Sequence, residues 1–229
     1  MKKYLFLVVL LTVTAQVTYA DDREIADPIE GFNRKVFWFN EQFDTYLFKP
    51  IAQGYNYITP NVAQRSFTNF FRNLRSPIYI VSDLMQGNSD QLGTHLARFM
   101  YNSTFGLAGF IDVAKEFGLR HVEEDFGTGL GYRGVETGPY LVLPIYGPSN
   151  LRDTFGRIAD SFLDPLGAAG YFSDALEDPV LYGTRALEAV NIRAKRLEDK
   201  ELMDDMSLDP YVFRRSAYMQ MREGLVGRE

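Results

Sequence analysis

The chain lacks cysteine altogether and has only two histidines, His95 and His121. Without cysteine the protein cannot form a disulfide framework, and it cannot carry the acyl chain that bacterial lipoproteins bear on a cysteine just after the export signal. The sequence also lacks the HExxH, CxxC and GxSxG motifs and the GxxxxGKS-type phosphate loop. Neither a metal site, nor a cofactor, nor the nucleophile–base pair of a hydrolase is predicted.

Positive charge is also scarce. The chain has 24 Lys and Arg against 30 Asp and Glu, a net charge of -6. Nucleic acid requires a basic face, so a nucleic-acid partner is not predicted. Anionic lipid likewise attracts clusters of Lys and Arg, and any membrane contact must therefore rest on apolar surface. The single Trp is accompanied by 18 Phe and 14 Tyr. This composition favours an aromatic core over rings at a lipid–water boundary.

The N-terminus has the three parts of a secretory signal peptide. Two lysines at positions 2 and 3 precede the apolar run YLFLVVLLTV, and the small residue Ala20 ends the segment. Residues 1–20 are predicted to be a signal peptide that is cleaved after Ala20, with Ala15 as a second candidate. The apolar run is shorter than the roughly 20 residues of a spanning helix, which disfavours an uncleaved anchor. We expect the mature protein to work outside the cytoplasm.

The remaining chain is predicted to form one all-α domain over residues 21–224, a helical bundle, followed by a short tail at 225–229. Several helices are predicted to begin with a capping residue followed by proline. The first begins at Asp27-Pro28 and carries apolar residues at steps of three and four. A helix that is apolar almost all round is buried or lies in lipid. The glycines of 126–147 are predicted to prevent helix formation, so this segment is interpreted as a glycine-rich extended insert.

Further helix starts are predicted at Pro50, Asn88 and Asn150, and the last helix is predicted to begin at Asp209-Pro210. Gly87 is predicted to end the helix before Asn88. A long helix is predicted from Asp178-Pro179 to about Asp205, with a charged second half that is interpreted as a solvated face.

Two amides interrupt the apolar stripe of the first helix. Asn33 and Asn40 are seven residues apart and therefore share one face. A buried asparagine needs hydrogen-bond partners. One interpretation is a hydrogen bond between helices, and the other is the polar lining of a passage through a lipid-embedded bundle.

One motif is misleading. Gly129, Gly131 and Gly134 fit the string GxGxxG, but a dinucleotide site needs that string between a buried strand and a helix, and the flanking residues match neither. The glycines are interpreted as permitting tight turns or close helix contacts. The acidic residues 123–125 are interpreted as the start of a helix, and His95 as a packed or surface histidine.

Several blocks together resemble the MlaA (VacJ) family. They are DPIEGFNR at 27–34, FMYNSTFGLAGFID at 99–112, FGTGLGYRG at 126–134, GPYLVLPIYG at 138–147, LRD at 151–153 and DPY at 209–211. The resemblance covers about residues 27–215. It departs from the family pattern in one respect, because the usual lipobox cysteine is absent.

The resemblance implies a flat, ring-like bundle of helices in the inner leaflet of the outer membrane of Gram-negative bacteria, around an amphipathic channel. Such proteins remove mislocalised phospholipid from the outer leaflet and pass it to a soluble periplasmic phospholipid carrier, which maintains lipid asymmetry. Several associate with an outer-membrane porin trimer. The family implies no catalytic residue and no cofactor, so an enzyme is not predicted.

The candidate lipid-channel residues combine the two amides with the glycine-rich segment, because irregular backbone is tolerated at membrane depth where it lines a cavity. They are Asn33, Asn40, Gly129, Gly131, Arg133, Gly134, Tyr140 and Pro144. The missing cysteine leaves an alternative open, namely a soluble periplasmic lipid-binding or adaptor protein on the same fold.

Overall fold

The computed structural model describes residues 27–172 and 179–227. The predicted signal peptide lies outside them. The helices are α1 (Glu30–Phe43), α2 (Lys49–Ile58), α3 (Asn61–Leu74), α4 (Ser76–Gln86), α5 (Ser89–Thr104), α6 (Phe126–Tyr132), α7 (Leu151–Leu163), α8 (Pro165–Phe172), α9 (Pro179–Lys195), α10 (Leu197–Met206) and α11 (Pro210–Val226). A 3₁₀-helix spans Val113–Phe117. Within the described ranges, the sheet consists of β1 (Tyr140–Leu143) and β2 (Gly147–Asn150). The predicted all-α class is confirmed.

Helices α1 and α2 form one continuous helix. One turn of π-helix at Asp44–Phe48, called the π-turn below, joins them, and the backbone of Asp44 and Lys49 is helical. The predicted second helix therefore has no break before it. Pro50 is the second residue of α2, and its missing N–H and bulky ring disturb the regular pattern of hydrogen bonds in the turn before it. The predicted cap at Asp27 is wrong, because α1 begins two residues later than Pro28 and no side chain caps it.

Other helix ends follow local chemistry. The side chains of Asn88, Asn150 and Asp209 each accept a hydrogen bond from a backbone N–H in the first turn of α5, α7 and α11, which confirms these predicted starts. Gly87 ends α4 with φ of +73°, the left-handed conformation that glycine adopts without steric penalty.

The glycine-rich segment is not extended throughout, and that part of the prediction is wrong. Its first seven residues form α6, which packs against α4 and α7. A Cβ built on Gly156 of α7 would lie 2.5 Å from the backbone nitrogen of Gly127. The two helices can cross this closely only because both residues lack a side chain, and the contact outweighs the local cost of glycine in a helix.

The second half of the segment forms a hairpin. Strands β1 and β2 are antiparallel, with Tyr140 opposite Asn150 and Leu143 opposite Gly147. The turn contains Ile145, whose φ of +69° is unusual for a β-branched residue. An extended stretch is predicted from Tyr140 to Pro144, and it is confirmed as far as Leu143, where β1 ends.

The C-terminal region has one more break than predicted. The long helix expected from residue 179 to about 205 is divided at Arg196 into α9 and α10. The charged second half was predicted to be a solvated face. Lys200, however, is only partly exposed and bonds Glu41 of α1 at 2.8 Å and Asp204 at 2.9 Å.

Burial is inverted relative to a water-soluble protein. The buried side chains of the described residues are mainly polar or charged, and include Asn33, Asp83, His95, Arg98, Asn102, Arg152, Asp153, Asn191, Arg193 and Arg222. Large apolar side chains lie outside instead, among them Phe32, Trp38, Phe39, Tyr46, Tyr57, Phe99, Phe105, Phe117, Phe155 and Phe162. For these rings the predicted aromatic core is wrong. Among the helices described here, none is both long and apolar enough to cross a bilayer.

Candidate functional site

The two asparagines of α1 hold the hairpin. The Asn33 amide donates to the Tyr140 carbonyl and its oxygen accepts from the Val142 N–H, both at 3.0 Å. Asn40 repeats this one heptad later, donating to Leu143 O at 2.9 Å and accepting from Ile145 N–H at 2.7 Å. Together the two side chains occupy the place that a neighbouring strand would fill.

Both amides bond the backbone of the hairpin, so the predicted hydrogen bond between two helices is wrong. Asn33 is fully buried and also donates to Asp27 Oδ1 at 2.7 Å. Asn40 is half-buried, and its partner residue Ile145 is exposed. We call the Asn33 contact the inner clamp and the Asn40 contact the outer clamp. The inner clamp is inaccessible to solvent, and the outer clamp lies close to the surface at the tip of the hairpin.

Three tyrosines pack around the start of the hairpin. The Tyr140 ring lies edge-on to Tyr211 at 6.1 Å and to Tyr218 at 6.4 Å, both on α11. The Tyr211 hydroxyl donates to Asp27, which also pairs with Arg215 at 3.1 Å. Burial raises the pKa of the Tyr140 hydroxyl. The hairpin is thus fastened to α1 on one side and to α11 on the other.

An ion-pair group fastens α6 to its neighbours. Asp125 caps α6 through the Thr128 N–H at 2.7 Å, as expected for the acidic stretch. Arg222 of α11 bonds both Asp125 oxygens, at 2.6 and 2.8 Å, and Asp153 Oδ1 at 2.8 Å. Burial alone would raise the pKa of Asp125, but hydrogen bonds from Arg222 and Thr128 hold it below its usual range.

The glycines of α6 allow close approach of side chains. A Cβ on Gly129 would lie 3.2 Å from the Met85 side chain, and one on Gly131 would lie 2.4 Å from the Arg152 guanidinium. Gly134 has φ of +86° and open space around it. Arg133 is exposed and donates through Nε to the Met85 carbonyl.

A second ion-pair group lies at the π-turn. Arg193 of α9 bonds the buried Asp44 at 2.6 and 2.9 Å. Burial would raise the pKa of Asp44, but hydrogen bonds and charge from Arg193 bring it below the usual value. This pair links the irregular turn of the long helix to the C-terminal region.

The predicted candidates therefore form two groups. Asn33, Asn40, Tyr140 and Pro144 meet at the hairpin, whereas Gly129, Gly131, Arg133 and Gly134 lie on or after α6. Helix α11 contacts both α6 and β2. The residues that join the groups were not predicted as site residues. The LRD and DPY blocks contain three of them, Arg152, Asp153 and Tyr211, and Tyr218 and Arg222 lie further along α11.

The two histidine side chains are packed between the helices, beside Tyr79 of α4. His95 Nδ1 lies 2.6 Å from Asp83 Oδ2 and its Nε2 lies 3.0 Å from the Val122 carbonyl. Both side chains of the His95–Asp83 pair are almost inaccessible to solvent. Burial lowers the pKa of His121 to about 4. Of the two alternatives predicted for His95, a packed or a surface histidine, the structure shows the packed one. No cluster of metal-ligating side chains occurs in the ranges that the structure describes.

Comparison with known proteins gives a consistent result. Residues 25–224 match the family described as MlaA lipoprotein. The intermembrane phospholipid transport system lipoprotein MlaA of Escherichia coli K12 is 36% identical over 207 residues, covering 89% of this chain and 79% of that protein. The protein of that name from Haemophilus influenzae is 34% identical over 199 residues, covering 85% and 76%.

A solved structure agrees with the fold. It is described as the structural basis for maintenance of bacterial outer membrane lipid asymmetry, and it superposes with a TM-score of 0.75 at 34% sequence identity. The match covers 88% of this chain and the whole of that one.

Proposed function

The chain belongs to the MlaA lipoprotein family, and we propose that it is the outer-membrane component of a retrograde phospholipid-transport system. It removes mislocalised phospholipid from the outer leaflet and passes it to a soluble periplasmic carrier, which maintains the lipid asymmetry of the membrane. It moves lipid without chemistry, as a non-enzyme that uses no cofactor.

The inverted burial is the observation that carries this proposal. Outward-facing rings such as Phe32, Trp38 and Phe105 are an unfavourable surface in water, but they are stable against acyl chains. Polar side chains turned inward find partners within the protein, and the helices satisfy their own backbone groups, as lipid requires. Both features support a bundle whose outer surface lies in lipid.

The place and the partners are part of the same proposal. We place the protein on the periplasmic, inner-leaflet side of the outer membrane, exported by the signal at residues 1–20. Its partners are phospholipid, an outer-membrane porin trimer and the periplasmic carrier. The exposed apolar surface of the described residues supports contact with lipid or with the apolar belt of a porin.

The lipid path is proposed to run beside the hairpin and the end of α6. Asn33 and Asn40 use their amides on the hairpin backbone, so they shape the wall, with Tyr140 and Pro144 on the hairpin itself. The exposed guanidinium of Arg133 is suited to a lipid phosphate. Gly129, Gly131 and Gly134 keep the adjacent wall thin.

A deletion strain tests the function. Loss of the gene is expected to raise outer-leaflet phospholipid, measured by surface labelling of lipid amines, and to raise sensitivity to bile-salt-type detergents. When the deletion strain is complemented with the Arg133→Gln variant, this variant is expected to restore less than half of the lipid asymmetry that the wild-type gene restores. The matched control Arg157→Gln, which removes an exposed arginine from α7, should restore it fully. No change on deletion would refute the transport role.

Fractionation separates this proposal from the soluble alternative. An embedded protein stays with outer membranes through carbonate and high-salt washes, because apolar contacts do not depend on charge. Release of the mature protein into the wash would favour a soluble periplasmic lipid-binding or adaptor protein, with the exposed rings covered by a partner.

A further inference from the structure

Helix α1 carries a second feature on the side away from the hairpin. Arg34, Lys35, Trp38 and Phe39 line an open groove of about 460 Å³. Asn33 and Asn40 point to the hairpin, and at 100° per residue Lys35, Trp38 and Phe39 occupy the opposite face. The groove is therefore on the outer surface of the bundle and is separate from the proposed lipid path.

The two cations of the groove differ in what they already bind. Arg34 bonds Glu30 at 2.6 Å and Asp209 at 2.9 Å, and lies 4.4 Å above the Tyr211 ring. Its charge is thus neutralised within the protein. Lys35 is exposed and makes no ion pair with any residue of the described ranges. The ammonium of Lys35 is the cation available to an outside anion.

The aromatic part of the groove is accessible. The Trp38 side chain is 65% exposed and Phe39 is 47% exposed. They lie three and four residues after Lys35 and are therefore its neighbours on the helix surface. A cation beside apolar rings, one of them with a polar N–H, is the arrangement found where acyl chains meet headgroups.

We propose that Lys35, Trp38 and Phe39 form a binding site for an anionic phospholipid of the surrounding leaflet. The Lys35 ammonium pairs with the phosphate, and an acyl chain lies along the two rings. This inference rests on the proposed membrane location. A resident lipid is favoured over transported lipid because the site faces away from the hairpin. It is favoured over a protein partner because a lysine with no ion pair among the described residues, beside apolar rings, complements an anionic headgroup.

The consequence is a defined depth for α1. The headgroup contact holds Lys35 at the interface, and the apolar outer residues of α1 then extend into the acyl region. Such a contact adds specificity for anionic lipid that the net charge of -6 would otherwise oppose. It also provides attachment in a chain that has no cysteine to carry an acyl group.

The single tryptophan makes the site directly observable. The full-length mature protein is placed in nanodiscs that contain phosphatidylglycerol or only phosphatidylcholine, with bromine at shallow or deep acyl positions. Trp38 emission is expected to be quenched most strongly by shallow bromine. The phosphatidylglycerol concentration that gives half-maximal quenching should rise about fivefold in Lys35→Gln, the effect of one lysine at a lipid surface.

The control is Lys195→Gln, which removes an exposed lysine from the end of α9 and should leave the titration unchanged. Equal quenching in both lipids and in both variants would overturn the anionic site. Unquenched Trp38 in a protein that remains with the nanodisc would also overturn it. Either result would leave the transport proposal standing, since lipid asymmetry in cells measures that independently.

Discussion

Replacement of Asn33 by alanine tests whether the hairpin depends on its amide clamp. The change removes the two hydrogen bonds to the backbone of β1, each 3.0 Å long. It also leaves the Tyr140 carbonyl and the Val142 N–H without partners in a region where both residues are almost fully buried. Water cannot reach these groups unless the hairpin moves away from α1.

The magnitude follows from these losses. Each buried group left without a partner costs about 1–3 kcal/mol, a figure that already includes the lost hydrogen bond. For the two groups together we expect Asn33→Ala to lower the free energy of unfolding by about 2–6 kcal/mol, a large part of the roughly 5–15 kcal/mol typical of a domain. Asn40→Ala, whose partner Ile145 is exposed, is expected to cost about 1 kcal/mol or less, because water replaces the amide there.

The assay is urea unfolding in detergent, followed by circular dichroism, together with hydrogen exchange of residues 140–150. Asn33→Ala should accelerate hydrogen exchange at Val142 and throughout the rest of the hairpin, whereas Asn40→Ala should accelerate it at Ile145 only. Equal losses of stability in the two variants would refute the reasoning, because burial would then not distinguish the inner clamp from the outer one.

Three further changes test other contacts. Burial raises the pKa of Asp160 to about 7, so the folded state keeps a proton that the unfolded state releases near pH 4, and stability falls as pH rises between them. Asp160→Asn should remove this slope in thermal melts and add on the order of 2 kcal/mol at pH 8. Arg222→Met, which removes the guanidinium from the buried Asp153 and the partly exposed Asp125, should cost about 3 kcal/mol in urea unfolding, against less than about 0.5 kcal/mol for the exposed Arg65→Met. Gly131→Val, whose side chain would meet the buried Arg152 guanidinium, should lower both the melting temperature and lipid asymmetry, whereas Gly183→Ala, which has open space, should change neither; an unchanged melting temperature in Gly131→Val would show that the close contact is not needed for packing.

Local chemistry was readable from the sequence alone. The all-α class, the caps at Asn88, Asn150 and Asp209, and the end of α4 at Gly87 all depend on residues a few positions apart. A cap needs only its own side chain and the next backbone N–H groups. Such features are therefore present in the sequence as short patterns, whatever the rest of the chain does.

The spacing of Asn33 and Asn40 was also readable, but their partner was not. The hydrogen bonds join residues more than a hundred positions apart, and a heptad spacing fits a helix or a passage as well as it fits a hairpin. The same holds for α6. Glycine has a low helix propensity, so the glycines of α6 predict that no helix forms there. Only their close contacts with Gly156, Met85 and Arg152 explain why glycine is suited to this helix.

The direction of the apolar face was decided by the tertiary structure. The periodicity of α1 correctly indicates two unlike faces. Periodicity does not show which face is buried, however, so the apolar side could face a core or a lipid. In the folded chain Asn33, Asn40 and Asp44 turn inward to the hairpin and to Arg193, and Phe32, Trp38 and Phe39 turn outward. The sequence by itself determined that this protein is helical; the pairing of its buried polar groups, which joins residues far apart in the chain, determined which surface is left outside.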